Sequence, residues 1–102
     1  MKDLFDDYYF GGDRKAYKPF MVYITDISGS LFLRRFKAET EEQILKSLSY
    51  FMHNNPKRFI KVCEYDDFEY LMEQSECVHY LVLDKIVSIQ IKEDEYYEEE
   101  GD

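Results

Sequence analysis

The spacing of apolar side chains changes from strand-like to helical near residue 40, and this change restricts the fold more than any other feature of the sequence. Residues 20–25 and 31–37 are two β-prone runs around a short glycine-containing turn, which is typical of a β-hairpin. Residues 40–43, of sequence TEEQ, then have the form of a helix capping box. The apolar residues that follow recur at helical spacing, at Ile44, Leu45, Leu48, Phe51 and Met52. We therefore predict an amphipathic helix that packs on a hairpin.

The second half of the chain predicts three further strands and a short helix. Residues 58–65, 77–83 and 87–92 are rich in β-prone side chains, and the last two runs are joined by a connection short enough for neighbouring antiparallel strands. Residues 66–76 begin with a second capping-box form and are strongly acidic. The predicted order is ββαβαββ. This is an α+β fold with one long helix packed on an antiparallel sheet of four to five strands and one short acidic helix.

With 102 residues, the chain has room for one hydrophobic core. Residues 1–18 combine aromatic and charged side chains with a Gly-Gly break, and we expect an N-terminal arm, docked or mobile. Residues 19–92 then form a single α+β domain. Residues 93–102 carry too little apolar surface and too much like charge to fold alone, so we expect an acidic tail.

The sequence contains no apolar run close to the roughly 20 residues that span a bilayer. Its first residues include Asp3, Asp6 and Asp7 in place of the basic and apolar residues of a secretion signal. Cys63 and Cys77 are too few for a disulfide scaffold, and we expect both to be thiols. We therefore predict a cytoplasmic protein without a membrane partner.

The usual local signatures of a catalytic or cofactor site are absent from the sequence. It has no phosphate-binding loop, no dinucleotide glycine pattern, no nucleophile elbow and no His-Glu-x-x-His run. Cys63, Cys77, His53 and His79 lack the paired spacing of a structural zinc site, so packing residues are the favoured interpretation. We predict a protein that is not an enzyme and has no cofactor, no metal and no small-molecule substrate.

The formal net charge of -9 is unevenly distributed along the chain. Residues 64–76 hold six acids, residues 93–102 hold seven, and neither stretch contains a base. Removing these 13 acids from the total of 22 leaves 9 acids against 13 Lys and Arg, so the rest of the chain is net positive. The two acidic stretches are therefore the most distinctive candidate for a functional surface.

Acids gathered in this way present negative charge at spacings comparable to those of backbone phosphates, which would attract a protein that binds nucleic acid through Lys and Arg. Our first hypothesis is a non-enzymatic inhibitor or adaptor that docks an acidic face into the nucleic-acid-binding cleft of a basic partner protein. Tyrosine is enriched at protein interfaces, so we include the two tyrosines of the tail among the predicted contact residues. The predicted contacts are Glu64, Asp66, Asp67, Glu69, Glu73, Glu76, Glu93, Asp94, Glu95, Tyr96, Tyr97, Glu98 and Glu99. A tail that only maintains solubility is the alternative.

Basic residues also cluster, around the second and third predicted strands. Next to aromatic side chains they would form a patch of the kind that binds RNA or single strands, and this is our second hypothesis. The residues concerned are Arg34, Arg35, Lys37, Lys57, Arg58 and Lys61, flanked by Phe36 and Phe59. A third hypothesis is a homodimer joined through an edge strand or the tyrosine-rich ends.

In size, tyrosine content, acidic balance and absence of cysteine pairs, the chain resembles the small inhibitors that bacteriophages and mobile elements encode against host defences, anti-CRISPR proteins included. These proteins share no common fold or motif, so the resemblance assigns no residue a role. Some of them use an acidic face to occupy the DNA-reading groove of a nuclease. The resemblance therefore implies the same mode of action as the first hypothesis.

Overall fold

The computed structural model describes Phe5, residues 8–64 and residues 78–94. These residues contain one antiparallel five-stranded sheet and one main helix, which confirms the predicted α+β class. The predicted short acidic helix and residues 95–102 of the tail lie outside the described residues. The elements are β1 (Lys18–Asp26), β2 (Leu31–Ala38), α1 (Glu41–Asn54), β3 (Phe59–Glu64), β4 (Val78–Val82) and β5 (Ile86–Glu93), with 3-10 turns at Arg14–Ala16 and Leu83–Lys85.

β1 and β2 form the predicted hairpin, paired from Lys18 opposite Ala38 to Thr25 opposite Leu31. The turn between them is organised by Asp26, whose Oδ1 accepts hydrogen bonds from the backbone N–H groups of Ser28 and Ser30, both at 3.0 Å. Gly29 has a φ of 87° in this turn, a conformation that favours glycine. The turn sequence therefore fixes the register of the hairpin.

The start of α1 matches the capping box predicted from the sequence. Thr40 Oγ1 accepts a hydrogen bond from the Gln43 N–H at 3.3 Å, and Gln43 Oε1 accepts one in return from the Thr40 N–H at 3.4 Å. Gln43 Oε1 also accepts from the Glu39 N–H at 2.9 Å. These bonds satisfy backbone donors that the first helical turn leaves without partners.

The order of strands across the sheet is β4-β3-β2-β1-β5, so β4 and β5 are the two edge strands. The prediction that they would be antiparallel neighbours is wrong. β4 pairs with β3, and β5 pairs with β1. The short connection Leu83–Lys85 is a 3-10 turn that leads from one edge strand to the other. Leu83 and Ile86, on either side of it, are both buried in the core, which is why it is not a hairpin turn.

We infer that the sheet curls, because that short 3-10 turn connects its two edge strands. A 3-10 turn rises about 2 Å per residue, so the step from Val82 to Ile86 covers about 8 Å. In a flat sheet, four strand spacings of about 4.8 Å would separate β4 from β5 by about 19 Å. The corner is held by two backbone hydrogen bonds, from Leu83 N to Arg58 O at 3.0 Å and from Ile27 N to Lys85 O at 2.9 Å.

The core lies inside the curled sheet, and α1 covers its open side. Two residues of the helix, Ile44 and Leu48, are fully buried, whereas Leu45 of the same apolar stripe is 46% exposed. The buried cluster comprises Phe5, Phe20, Val22, Ile24, Phe32, Phe36, Ala38, Ile44, Leu48, Ile60, Val62, Leu81, Leu83 and Ile86. The helix therefore seals the core but leaves one apolar side chain beside β5.

Candidate functional site

Three of the predicted acidic contact residues lie within the described part of the chain, and each is next to a basic group. Glu64 Oε1 lies 3.2 Å from His79 Nε2, and Glu93 Oε2 lies 3.3 Å from Lys18 Nζ. Asp94 Oδ2 accepts a 2.7 Å hydrogen bond from Arg35 Nε. These carboxylates therefore already make contacts within the chain, before any partner binds.

Glu64 and Glu93 are far apart on the sheet. Glu64 lies opposite Phe32 at one end of β3, and Glu93 lies opposite Phe20 at the other end of the sheet, on β5. Three strand spacings and four residues along the strand separate them, which gives about 20 Å along the sheet surface. The remaining predicted contacts lie outside the described residues, so the acidic-face hypothesis stays a prediction.

The predicted basic patch is divided between the two sides of the sheet. Arg34 is on the side of β2 that carries Phe32 and Phe36, whereas Arg35 and Lys37 are on the opposite side, since side chains alternate along a strand. Away from the sheet, Lys57 Nζ lies 2.7 Å from Asp84 Oδ2. Arg34 therefore does not share a side of β2 with Arg35 and Lys37, and the hypothesis of one patch of six bases stays a prediction.

β2 and β3 diverge, and a groove opens beside the divergence. Their ladder pairs Phe32 with Glu64 and Leu33 with Cys63. Beyond it, Arg34 Nη1 donates a 2.9 Å hydrogen bond to Lys61 O, so a side chain joins the strands where the ladder has ended. The guanidinium carbon of Arg34 also lies 4.9 Å from the centre of the Phe36 ring.

The groove has a volume of about 570 Å³, within the range of ligand-binding pockets. Its described lining consists of five aromatic and five basic residues. Two of the basic residues already have partners, since Arg34 bonds to Lys61 O and Arg35 to Asp94. One wall is β2, and the other is the segment that precedes β1. The lining residues are Phe5, Tyr8, Phe10, Arg14, Lys15, Tyr17, Arg34, Arg35, Phe36 and Lys37.

Aromatic contacts hold the segment before β1 against the core. The Phe5 ring is 4% exposed and packs edge-on against Phe36 at 5.3 Å and Phe51 at 5.5 Å between ring centres. Tyr8 and Phe10 pack against each other at 4.8 Å and against the same group of rings. The described residues of this segment are therefore docked and form a wall of the groove.

A glycine turn fixes the direction in which this segment crosses α1. Gly12 has a φ of 73°, and a Cβ atom at this position would overlap the Glu39 carboxylate. Glu39 Oε1 accepts a 2.8 Å hydrogen bond from the Asp13 N–H, and Tyr17 donates its hydroxyl to Gly11 O at 2.8 Å. The positive φ favours glycine here, and a Cβ would also displace the Glu39 carboxylate from its bond to the Asp13 N–H.

The 3-10 turn Arg14–Ala16 places two cations at the mouth of the groove. Asp13 caps this turn through a 2.9 Å hydrogen bond from the Lys15 N–H to its Oδ1. The Arg14 guanidinium lies 4.8 Å from the centre of the Tyr9 ring, a cation–π contact. Arg14 and Lys15 are both exposed, so an anion in solution has direct access to them.

The groove combines two kinds of binding group. Its cations attract phosphate groups, and its half-buried rings, Tyr8, Phe10 and Tyr17, offer apolar surface against which a planar base stacks. The sequence predicted the β2 side of this site through Arg34, Arg35, Phe36 and Lys37. Arg14, Lys15 and Tyr17 were missed, although an adjacent Arg-Lys pair that follows a Gly-Gly turn and precedes a tyrosine is a usable signal.

Of the four candidate zinc ligands, Cys77 lies outside the described residues, and the other three lie on different elements. Cys63 lies on the outer side of β3 opposite Leu33, whereas His79 lies on the inner side next to Val62. His53 is at the end of α1. Nowhere in the described ranges do three or more His, Cys, Asp and Glu side chains form a group able to hold a metal ion.

Within the described ranges, no helix combines the length and the apolar character needed to span a membrane.

Comparison of the chain with protein-family models, with curated proteins and with solved structures found no significant match. The resemblance to phage-type inhibitors therefore stays a prediction that rests on size and charge.

Proposed function

We propose that the protein is a non-enzymatic binding module that holds single-stranded nucleic acid in the groove between β2 and the segment before β1. One observation carries this proposal: five basic and five aromatic residues line a single groove of about 570 Å³. Proteins that bind single strands combine a positively charged groove for the backbone with rings on which bases stack.

The two sides of the groove suit different parts of a nucleotide. Arg14 and Lys15 are exposed at the mouth, where they reach phosphates without losing much hydration. The rings of Phe10 and Tyr17 are half-buried, so each keeps part of its surface accessible. Stacking on such rings contributes about 1–3 kcal/mol per base. A strand that follows the groove would therefore place phosphates outward and bases inward.

The net charge of -9 repels nucleic acid at long range and so limits the affinity. Binding therefore depends on direct contacts within the groove. A duplex is disfavoured because its bases are already stacked and its second phosphate chain adds repulsion from a protein of net charge -9. We expect dissociation constants in the range of about 10⁻⁶ to 10⁻⁴ M at physiological salt, typical of non-specific nucleic-acid binding.

The test is fluorescence anisotropy with labelled single-stranded RNA and DNA of about 12 nucleotides, since such sites cover about 4–16 nucleotides. Binding at ~50 mM salt should weaken at ~200 mM salt because phosphate contacts release counterions. The double substitution Arg14→Ala with Lys15→Ala should weaken binding at least about tenfold. The double substitution Lys46→Ala with Lys85→Ala removes the same charge from exposed sites outside the groove and should have a small effect.

A second pair of variants separates stacking from charge. Tyr17→Phe keeps the ring and should bind nearly as well as the unchanged protein, although it loses the hydroxyl that bonds to Gly11 O. Tyr17→Leu removes the ring and should weaken binding about fivefold or more. No binding at ~50 mM salt, or equal binding by the groove and control variants, would contradict the proposal.

A further inference from the structure

β5 is an edge strand whose outer side offers backbone groups for further pairing. Asp94 N donates a 3.0 Å hydrogen bond to Pro19 O, so the backbone of Asp94 points towards β1. In an antiparallel ladder the orientation alternates, so Gln90 and Lys92 also bond to β1, whereas Ile89 and Ile91 point their N–H and C=O groups outward. No residue in the described ranges donates to or accepts from these outward groups.

Apolar side chains accompany this open edge along the gap between β5 and α1. Leu45 of α1 is 46% exposed and Val87 of β5 is 62% exposed, and both border the gap beside half-buried Ile89. Further along, the same gap is lined by Ile91 together with the exposed acids Glu41 and Glu42 at the start of α1. Exposed apolar surface next to an open strand edge is normally covered by a partner or interrupted by charge.

The polar side chains of β5 lie on the side of the strand opposite Ile89 and Ile91. Ser88, Gln90 and Lys92 alternate with Ile89 and Ile91, so a strand added at this edge meets an apolar surface on one side and a polar one on the other. A second copy of β5 has the same alternation, so its apolar side chains would continue the apolar side of the sheet and its polar side chains the polar side. Such a copy is therefore chemically complementary on both sides of the sheet.

The charges at the two ends of β5 favour antiparallel pairing of two copies. Lys85 precedes the strand and Glu93 ends it, and both are exposed. Glu93 also contacts Lys18 of its own chain at 3.3 Å, through an exposed pair that water screens. An antiparallel arrangement around a two-fold axis places the Lys85 end of one copy beside the Glu93 end of the other. Opposite charges then meet at both ends, which is a self-complementary interface.

We propose that β5 is a homodimerisation edge, at which two copies of this chain pair antiparallel and bury Leu45, Val87, Ile89 and Ile91 between them. This interface is independent of the groove, which lies on the β2 side of β1, so failure of either proposal leaves the other standing.

The first test is sedimentation velocity from about 10 μM to 1 mM protein, a range that detects weak dimers. The protein should pass from monomer to dimer as its concentration rises. Val87→Lys introduces a charge at an exposed position and should raise the dimer dissociation constant at least about tenfold. Tyr50→Lys, at a side chain that is 60% exposed on α1, introduces the same charge elsewhere and should leave dimerisation unchanged.

Charge exchange tests the orientation of the strands. Lys85→Glu and Glu93→Lys should each weaken the dimer, and the two together should restore it, because each copy then again meets an opposite charge. Amide hydrogen exchange gives a second readout. Ile89 and Ile91 should become protected only as the dimer forms, whereas Gln90 should be protected at every concentration.

A protein that is monomeric at every concentration would overturn the proposal, as would a dimer unaffected by Val87→Lys. A double charge exchange that fails to restore the dimer would overturn the antiparallel arrangement.

Discussion

Arg35 Nε donates a 2.7 Å hydrogen bond to Asp94 Oδ2, and this contact ties β2 to the residue that follows β5. The bond passes over β1, which lies between the two strands. The Asp94 side chain is 7% exposed and that of Arg35 is 22% exposed, so the pair is largely shielded from water. It therefore fixes the position of Asp94 relative to β2.

Asp94→Asn should lower the free energy of unfolding by about 1–3 kcal/mol, because it removes the negative charge that accepts the Arg35 hydrogen bond in a poorly hydrated position. Urea denaturation measures the change. Glu93→Gln is the matched control, since Glu93 and Lys18 are each about half exposed and screened by water. Its effect should be below about 0.5 kcal/mol, and equal losses for the two variants would contradict this account.

Gly12→Ala should destabilise the protein more than Gly29→Ala. Both glycines have positive φ values, so both substitutions carry a backbone cost of about 1–2 kcal/mol. Only at Gly12 does the new Cβ meet another group, and Glu39 moves away only by breaking its bond to the Asp13 N–H. The expected additional loss is about 1 kcal/mol by urea denaturation. Equal losses would show that the close approach does not restrict this turn.

Asp26 should make the stability of the hairpin depend on acidity. The Ser28 hydroxyl, followed by the N–H groups of Ser30, Ser28 and Gly29, holds the pKa of Asp26 below its ordinary value of 3.8, and partial desolvation opposes this. Because the folded-state pKa is lowered, the stabilisation is present above the unfolded-state pKa and is lost as the pH falls through the folded-state pKa. The stability difference between the unchanged protein and Asp26→Asn should therefore shrink below about pH 4. A difference that stays constant from pH 7 to pH 2, in thermal unfolding, would contradict this assignment.

Deletion of residues 95–102 separates the two proposed modes of binding. These residues carry five acids, so the groove proposal predicts tighter binding of single-stranded RNA after deletion because like-charge repulsion is removed. The acidic-face hypothesis predicts instead the loss of a basic partner protein. Anisotropy with labelled RNA, and salt-graded pull-down before and after deletion, measure both. Weaker RNA binding after deletion would contradict the groove proposal.

Local signals in the sequence predicted the elements well. The capping box at Thr40 and Gln43 and the hairpin turn at Asp26 depend on contacts between residues close in sequence, so their patterns are readable without a structure. The positions of β4 and β5 at opposite edges of the sheet could not be predicted from the sequence. A short connection fits both a hairpin and a corner, and the burial of Leu83 and Ile86 on either side of the turn decides between them.

The candidate site was only half predicted, for a related reason. Arg34 and Lys37 belong to one strand, and their cluster is visible in the sequence. Their proximity to Arg14, Lys15 and Tyr17 depends on how Phe5 and the glycine turn dock the first segment against α1 and β2. Contacts between residues distant in sequence leave no periodic pattern, so the second wall of the groove required the fold.

The most direct test of the groove proposal is a two-dimensional NMR titration of the labelled protein with a single-stranded oligonucleotide of about eight nucleotides. The proposal predicts that the largest shifts occur at Arg14, Lys15, Tyr17 and Lys37, while Lys46 and Val87 stay unchanged. Shifts that leave these four residues unaffected, or no shifts at ~50 mM salt, would contradict it.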